Sequence, residues 1–369
     1  MRLLMTGGGT GGHVYPALAV AEALADSRWA VDRRDMAWVG GAHSVEERIL
    51  AQEGLAFYAI SVGALRGTSP WGFLRSLYRI ARGHRQAHEL LDAFRPDVIL
   101  ATGGYVSVPL VWAARDRGYP VLIYLPDMQP GLAVKLLSRM AQRVAVSFDS
   151  VARYFPRDKV FVSGYPVRRA LFSTSKEAAR QLLGLDAEAP VLLVFGGSRG
   201  AHSLNEAVRR ALEPLLELSQ VVHISGPGDY SLLDGVRARL PSASQARYHL
   251  YAYLYERMAA ALAAADLVVA RAGAATLGEF PAVGLPAILV PYPYAGQHQQ
   301  ANAEYLASRG AALIIPDAEL GARLWPTVRD LLGDPERLRA MGAAARALAM
   351  PEAAERIAAE LVSLATRGG

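Results

Sequence analysis

Leu3-Leu4-Met5-Thr6-Gly7-Gly8-Gly9-Thr10-Gly11-Gly12-His13-Val14-Tyr15-Pro16 is the stretch from which the rest of the chain can be read. A short apolar run that enters a glycine-rich turn and then a helix is how a parallel α/β sheet offers backbone N–H groups to a phosphate or sugar, with the helix N-terminus adding positive potential. Gly7, Gly9 and Gly12 also occupy the G-x-G-x-x-G places of a dinucleotide fold. That reading needs an acidic residue after the second strand, where Met36-Ala37-Trp38-Val39 runs instead into Gly40-Gly41, so a nicotinamide or flavin site is poorly supported. His13 and Pro16 set the turn apart: an imidazole at its mouth, then a proline expected in the first helical turn. His13 reads either as a group facing the chemistry or as a solvent-facing helix cap.

Beyond this turn, short aliphatic runs alternate with helical stretches. Arg2–Thr6, Met36–Val39, Phe57–Ser61, Val98–Thr102, Val121–Tyr124 and Val144–Ser147 read as strands, which implies right-handed crossovers and a parallel sheet covered on both faces. The pattern restarts at Pro190–Gly200, another buried strand entering a glycine-rich turn, followed by a helix expected over Ser203–Leu218. Strands at Val221–Ser225, Tyr248–Tyr251, Leu267–Ala270, Ala287–Val290 and Ala312–Ile315 complete the second half. The fold class is therefore α/β, with two Rossmann-like doubly wound domains facing across a cleft. The expected division is 1–165, 166–350 and a C-terminal helix, 351–369, returning to the first domain, with a hinge near 164–170.

The chain has 369 residues, 52% of them hydrophobic, enough for two buried sheets. It has no cysteine, which excludes disulfides and thiolate catalysis. The glycine turn begins so early that a signal peptide is not expected, and no uninterrupted apolar run reaches the ~18 residues of a spanning helix. The expected location is cytoplasmic. Net charge is +5, carried by arginine, since Lys135, Lys159 and Lys176 are the only lysines. Arginine suits bidentate contact with phosphate in a substrate or a membrane surface. No nucleic-acid motif accompanies it.

Other clusters add chemistry. Gly103-Gly104-Tyr105-Val106-Ser107 follows the fourth strand at its carboxyl end, where doubly wound sheets bind ligands. Asp127, after the fifth strand, suits either a sugar hydroxyl or a helix cap. Ala274-Ala275-Thr276-Leu277-Gly278-Glu279 is a small-residue turn into a helix. There Thr276 can cap and reach a phosphate, and Glu279 can take both hydroxyls of a ribose or compensate the helix dipole. Gln299 and Asn302 supply amides, which donate and accept at once and so suit sugar hydroxyls. In Pro70–Phe94, Trp71, Phe73, Leu74 and Leu77 lie beside Arg75, Arg79, Arg82 and Arg85. That pattern fits either a membrane-facing patch or a packed surface helix with a solvated basic face. No D-x-D, H-E-x-x-H or C-x-x-C is present, so no metal or other cofactor is expected, and no serine-hydrolase or P-loop motif appears.

Assembled, these clusters resemble the inverting, two-domain (GT-B) glycosyltransferases of family 28, in particular its peptidoglycan-building members. The likeness spans essentially the whole chain and is strongest at Gly8–His13, Gly103–Ser107, Gly196-Gly197-Ser198 with Gly200-Ala201, Gly273–Glu279, and Gln299 with Asn302. The resemblance implies transfer of N-acetylglucosamine from UDP-N-acetylglucosamine to the 4-hydroxyl of an undecaprenyl-linked muramoyl pentapeptide at the cytoplasmic membrane face. It implies that Thr10, Gly11, Gly12 and His13 face the acceptor and the forming bond, with Gly103, Gly104, Tyr105 and Ser107 beside them. Ser198 and Thr276 would meet the UDP phosphates, Arg168 the donor, Glu279 the ribose, and Gln299 and Asn302 the sugar. The Trp71–Arg85 segment would meet an anionic bilayer. His13 is the first candidate base and Asp127 the second. Two departures stand out: Tyr124-Leu125-Pro126-Asp127 where the family usually reads His-Glu-Gln-Asn, and Gly278 where serine is common. Another GT-B sugar transferase acting on a lipid or natural product, a UDP-sugar epimerase, and an inactive UDP-sugar-binding homologue are the alternatives.

Overall fold

The computed structural model describes residues 1–8, 11–63, 70–197, 200–254, 257–293 and 298–367. The chain divides between Arg168 and Arg169, and the stretch from Met350 onward belongs with the first unit.

In the first unit the strands are β1 (Leu3–Thr6), β2 (Met36–Gly40), β3 (Ala56–Ala59), β4 (Val98–Ala101), β5 (Val121–Leu125), β6 (Arg143–Val146) and β7 (Val160–Val162). They form one parallel sheet in the order β3-β2-β1-β4-β5-β6-β7. Central strands such as Leu3–Thr6 and Val98–Ala101 are buried along their whole length, because crossover helices cover both faces. Chain order reverses on the two sides of β1, and Thr6 pairs with both Val39 and Ala101, so the turns leaving β1 and β4 emerge side by side. The helix Gly11–Ala25 buries Val14, Ala17 and Leu18 in the same core as Ile357, Ala358, Leu361 and Leu364 of the C-terminal helix Ala353–Arg367. Each fully buried leucine or isoleucine there contributes about 1.5–3 kcal/mol, which ties the end of the chain to the unit that begins it.

In the second unit β8 (Val191–Phe195), β9 (Gln220–Ile224), β10 (Tyr248–Tyr251), β11 (Leu267–Ala270), β12 (Ala287–Leu289) and β13 (Ala312–Ile314) form a parallel sheet in the order β10-β9-β8-β11-β12-β13. β8 and β11 stand to this sheet as β1 and β4 stand to the first.

Two prolines alter the expected helices. Pro16 lies inside the helix rather than in its first turn, because the helix already begins at Gly11. The expected helix over Ser203–Leu218 is two, His202–Arg210 and Leu212–Leu218. Pro214 has no N–H to donate to the Arg210 carbonyl, and the first helix ends there.

Candidate functional site

In the first unit, two turns meet at the reversal of strand order. Gly103 and Gly104 after β4 take φ of +101° and +80°, and a side chain on Gly104 would come within 2.6 Å of the Gly8 carbonyl oxygen. The turn leaving β1 and the turn leaving β4 thus touch backbone to backbone, which a larger residue would forbid. Gly11 and Gly12 open the helix, and His13 is half-buried in its first turn. Its Nδ1 lies 2.7 Å from the Thr102 carbonyl oxygen. A carbonyl only accepts, so Nδ1 carries the proton and Nε2 is left with its lone pair. This tautomer is what a general base on the helix N-terminus requires.

The neighbours divide by exposure. Tyr105 is substantially exposed, whereas Ser107 is fully buried and donates its hydroxyl to the Gly103 carbonyl at 2.8 Å. Ser107, expected beside the acceptor, braces the turn through this bond. Asp127 is half-buried at the end of β5. The segment that departs from the family pattern is internally tied: the Tyr124 hydroxyl meets Ser147 Oγ at 2.8 Å, and Ser147 reaches the Leu125 and Pro126 carbonyls at 3.2 Å each. Burial pushes the Tyr124 phenol well above its ordinary range, with the Asp127 charge adding to the shift, so it stays a neutral hydrogen-bonding group. Arg168 pairs with Glu53 at 3.0 Å and lies over the Tyr15 ring, 5.2 Å from its centroid. Thr10 falls outside the described residues.

In the second unit, the turn after β8 has Gly197 and Gly200 at φ of +89° and +79° before the helix His202–Arg210; Ser198 lies outside the described residues. After β11, Thr276 is buried and its hydroxyl donates to the Gly273 carbonyl at 2.8 Å, while its amide donates to the same oxygen. The amides of Leu277 and Gly278 donate to the carbonyls of Ala274 and Ala275, and both residues are buried. Thr276, Leu277 and Gly278 therefore shape this turn from within, while half-buried Gly273, Ala274 and Ala275 form its outer surface. Glu279 is half-buried one turn into the helix Thr276–Val283. Gln299 accepts from the Tyr292 amide at 2.9 Å. Asn302 is fully buried and donates to the Ala272 carbonyl at 3.1 Å, so the amide expected to face the sugar supports the turn after β11.

Two polar networks near these turns escaped the sequence reading. Arg271, 8% exposed, pairs with Asp317 at 2.6 Å and donates to Ser203 Oγ at 2.7 Å, joining the end of β11 to the helix after the β8 turn. Its only sequence signal was a charge closing an apolar strand. In the second network Asn205 donates to Asp229, which also meets His202, and Asn205 accepts from His223, whose other nitrogen meets Tyr248. Burial lowers the His223 imidazole to about 4, so it is neutral. Burial works to raise the Asp229 carboxyl, but hydrogen bonds from Asn205 and His202 outweigh it and hold the group below its ordinary range.

Among the described residues, one cluster has metal-like spacing: His84, His88 and Asp116. Arg117 Nε donates to His88 Nδ1 at 3.0 Å, which puts the His88 proton on Nε2, facing Asp116. The cluster is a set of hydrogen bonds between two helices, not a ligand set presented to a cation.

On the helix Pro70–Phe94, Trp71 is 82% and Leu74 56% exposed, and Leu77, Tyr78, Arg75, Arg79, Arg82 and Arg85 are exposed too. The Phe73 side chain lies outside the description. Among the described residues no helix is long and apolar enough to cross a membrane.

Comparison with known proteins agrees with this geometry. Residues 3–146 match the family model of the glycosyltransferase family 28 N-terminal domain, and residues 191–357 that of the family 28 C-terminal domain. A UDP-N-acetylglucosamine--N-acetylmuramyl-(pentapeptide) pyrophosphoryl-undecaprenol N-acetylglucosamine transferase of Roseiflexus sp. (strain RS-1) is 43% identical, covering 100% of this chain and 96% of its own. The protein of that name from Desulforudis audaxviator (strain MP104C) is 42% identical over 100% of both chains. The crystal structure of Acinetobacter baumannii MurG superposes with a TM-score of 0.71 at 28% identity, covering 98% of this chain and 100% of that one. A UDP-GlcNAc 2-epimerase from Neisseria meningitidis shares the fold, with a TM-score of 0.68 at 14% identity and coverage of 98% and 100%. With two Rossmann-like sheets, each carrying a glycine turn where its strand order reverses, and with relatives this similar along its full length, the chain belongs to glycosyltransferase family 28.

Proposed function

We propose that this protein transfers N-acetylglucosamine from UDP-N-acetylglucosamine to the 4-hydroxyl of a lipid-linked muramoyl pentapeptide, with inversion at the anomeric carbon. The reaction named for the Roseiflexus and Desulforudis relatives supports the substrate pair. The observation that carries the chemistry is the hydrogen bond from His13 Nδ1 to the Thr102 carbonyl. It leaves Nε2 able to take the proton of the attacking hydroxyl as the new C–O bond forms and the bond to UDP breaks. The helices His202–Arg210 and Thr276–Val283 begin at the ends of β8 and β11 and turn their positive ends toward a diphosphate held there, offsetting the charge that the leaving group gains. Glu279 suits the ribose hydroxyls, because a carboxylate accepts two at once.

The exposed Trp71, Leu74 and Leu77 with their arginines support peripheral contact with an anionic bilayer, where such an acceptor resides. The membrane face is the cytoplasmic one in this reading, since a nucleotide sugar is the donor.

The test is turnover of a panel of UDP-sugars with a muramyl-pentapeptide lipid analogue and with unrelated lipid acceptors. Formation of the disaccharide from UDP-N-acetylglucosamine alone is expected. Turnover only with another donor or acceptor, or UDP binding without turnover, would overturn the assignment.

A further inference from the structure

Pro16 breaks the hydrogen-bond ladder of the helix that carries His13. In an α-helix each carbonyl accepts from the N–H four residues on, and Pro16 has no N–H to give the carbonyl of Gly12. That carbonyl sits one residue before His13 and needs a donor from elsewhere. The Tyr165 hydroxyl lies 3.5 Å from it, at the long end of hydrogen-bonding reach.

Tyr165 is held in place. Its ring is buried and meets Tyr124 edge to face, with centroids 6.3 Å apart, and Tyr124 is itself fixed by Ser147. Gly164, at φ +89°, turns the chain just ahead of it. Three residues later Arg168 lies over Tyr15 and pairs with Glu53. The segment Tyr165–Arg168, just before the chain passes into the second unit, is thus fastened at both its ends to the first turns of one helix, through Gly12 and through Tyr15.

We propose that Tyr165 is a positioning residue for His13, its hydroxyl replacing the backbone donor that Pro16 removes and so fixing the turn from which the imidazole reaches Thr102. The inference rests on the reading of His13 as the base. Tyr165 touches no reacting atom; it acts through the Gly12 carbonyl.

Tyr165→Phe keeps the ring and its packing and removes only the hydroxyl. It is expected to lower kcat about ten-fold and to leave the donor KM within about two-fold, because small displacements of a reacting group cost up to about 10²-fold in rate. Pro16→Ala restores an N–H at the position that Gly12 requires. In that background the further loss from Tyr165→Phe should shrink to about two-fold or less, a coupling between contacting sites that independent residues do not show. Equal losses in both backgrounds, or an unchanged kcat in Tyr165→Phe alone, would overturn the proposal. A substrate-free readout separates this test from the assignment of the reaction. The imidazole nitrogen resonances of His13 should move from the Nδ1-protonated tautomer toward a mixture in Tyr165→Phe, and return in the double variant. A parent protein inactive on the lipid acceptor would remove the transferase reading while leaving those resonances to decide the role of Tyr165, and unmoved resonances would refute it.

Discussion

The two units share one topology but build differently the paired turns where strand order reverses. In the first unit the turns after β1 and β4 meet through glycine backbone and hold one half-buried imidazole through its hydrogen bond to Thr102. In the second, the turns after β8 and β11 are joined by a buried arginine whose charge is already matched by Asp317. Arg271 therefore has little positive potential left over, and in the proposed reading the attraction for a diphosphate falls to backbone amides and helix ends. In the proposed reading one pair of turns presents a proton acceptor and the other cradles the donor's diphosphate.

Removing the imidazole gives the largest effect. His13→Ala should lower kcat by about 10²- to 10⁴-fold, the usual range for loss of a positioned general base, with UDP affinity unchanged by calorimetry. A variant turning over at the parental rate would reduce His13 to a helix cap and erase the contrast.

The cradle is tested through its charge pair. Asp317→Ala strands the buried Arg271 guanidinium, and breaking such a pair costs about 3 kcal/mol. Thermal unfolding of the full chain should show the loss, about 8 °C at the scaling for a unit of this size. If the melting temperature holds, the Arg271–Asp317 pair does not set the rigidity of this turn.

Most of the strands were legible in the sequence, because buried parallel strands are written as unbroken aliphatic runs and several are followed by glycine turns, whereas their order in each sheet came only with the fold. Ser107 and Asn302 show how far the letters go: a buried polar residue near a turn can face a ligand or satisfy a backbone carbonyl, and only the fold shows the hydrogen bonds to Gly103 and Ala272. The Arg271–Asp317 and Asn205–Asp229–His202 links were invisible because their members are far apart in sequence and only the fold brings them together. Pro16 was legible as a proline but not as a break, since its effect depends on where the helix begins.

Acid should act on the second unit through His223. Its folded value of about 4 lies below the unfolded 6.5, so below pH 6.5 the unfolded chain takes up a proton that the buried ring refuses. Stability is full above that pH and falls as the pH drops toward 4, by about 3 kcal/mol in all. Urea unfolding between pH 7 and 4 should show this slope, and His223→Gln should flatten it. An unchanged slope in the variant would place the acid sensitivity elsewhere.

The smallest effects compare the units most directly, because each carries the same brace: a hydroxyl on the residue entering the helix donates at 2.8 Å to a glycine carbonyl, Ser107 to Gly103 in one and Thr276 to Gly273 in the other. Ser107→Ala and Thr276→Val should each cost about 1 kcal/mol of stability, the usual net worth of such a bond. Their functional consequences should differ. If the second pair of turns cradles the diphosphate, Thr276→Val weakens UDP binding several-fold while Ser107→Ala leaves it untouched and lowers kcat instead, because its brace lies behind the turn against which His13 is held. Equal losses of UDP affinity in both variants would mean that the two turns do not divide donor from acceptor, and the functional contrast between the units would fail while their common architecture stood.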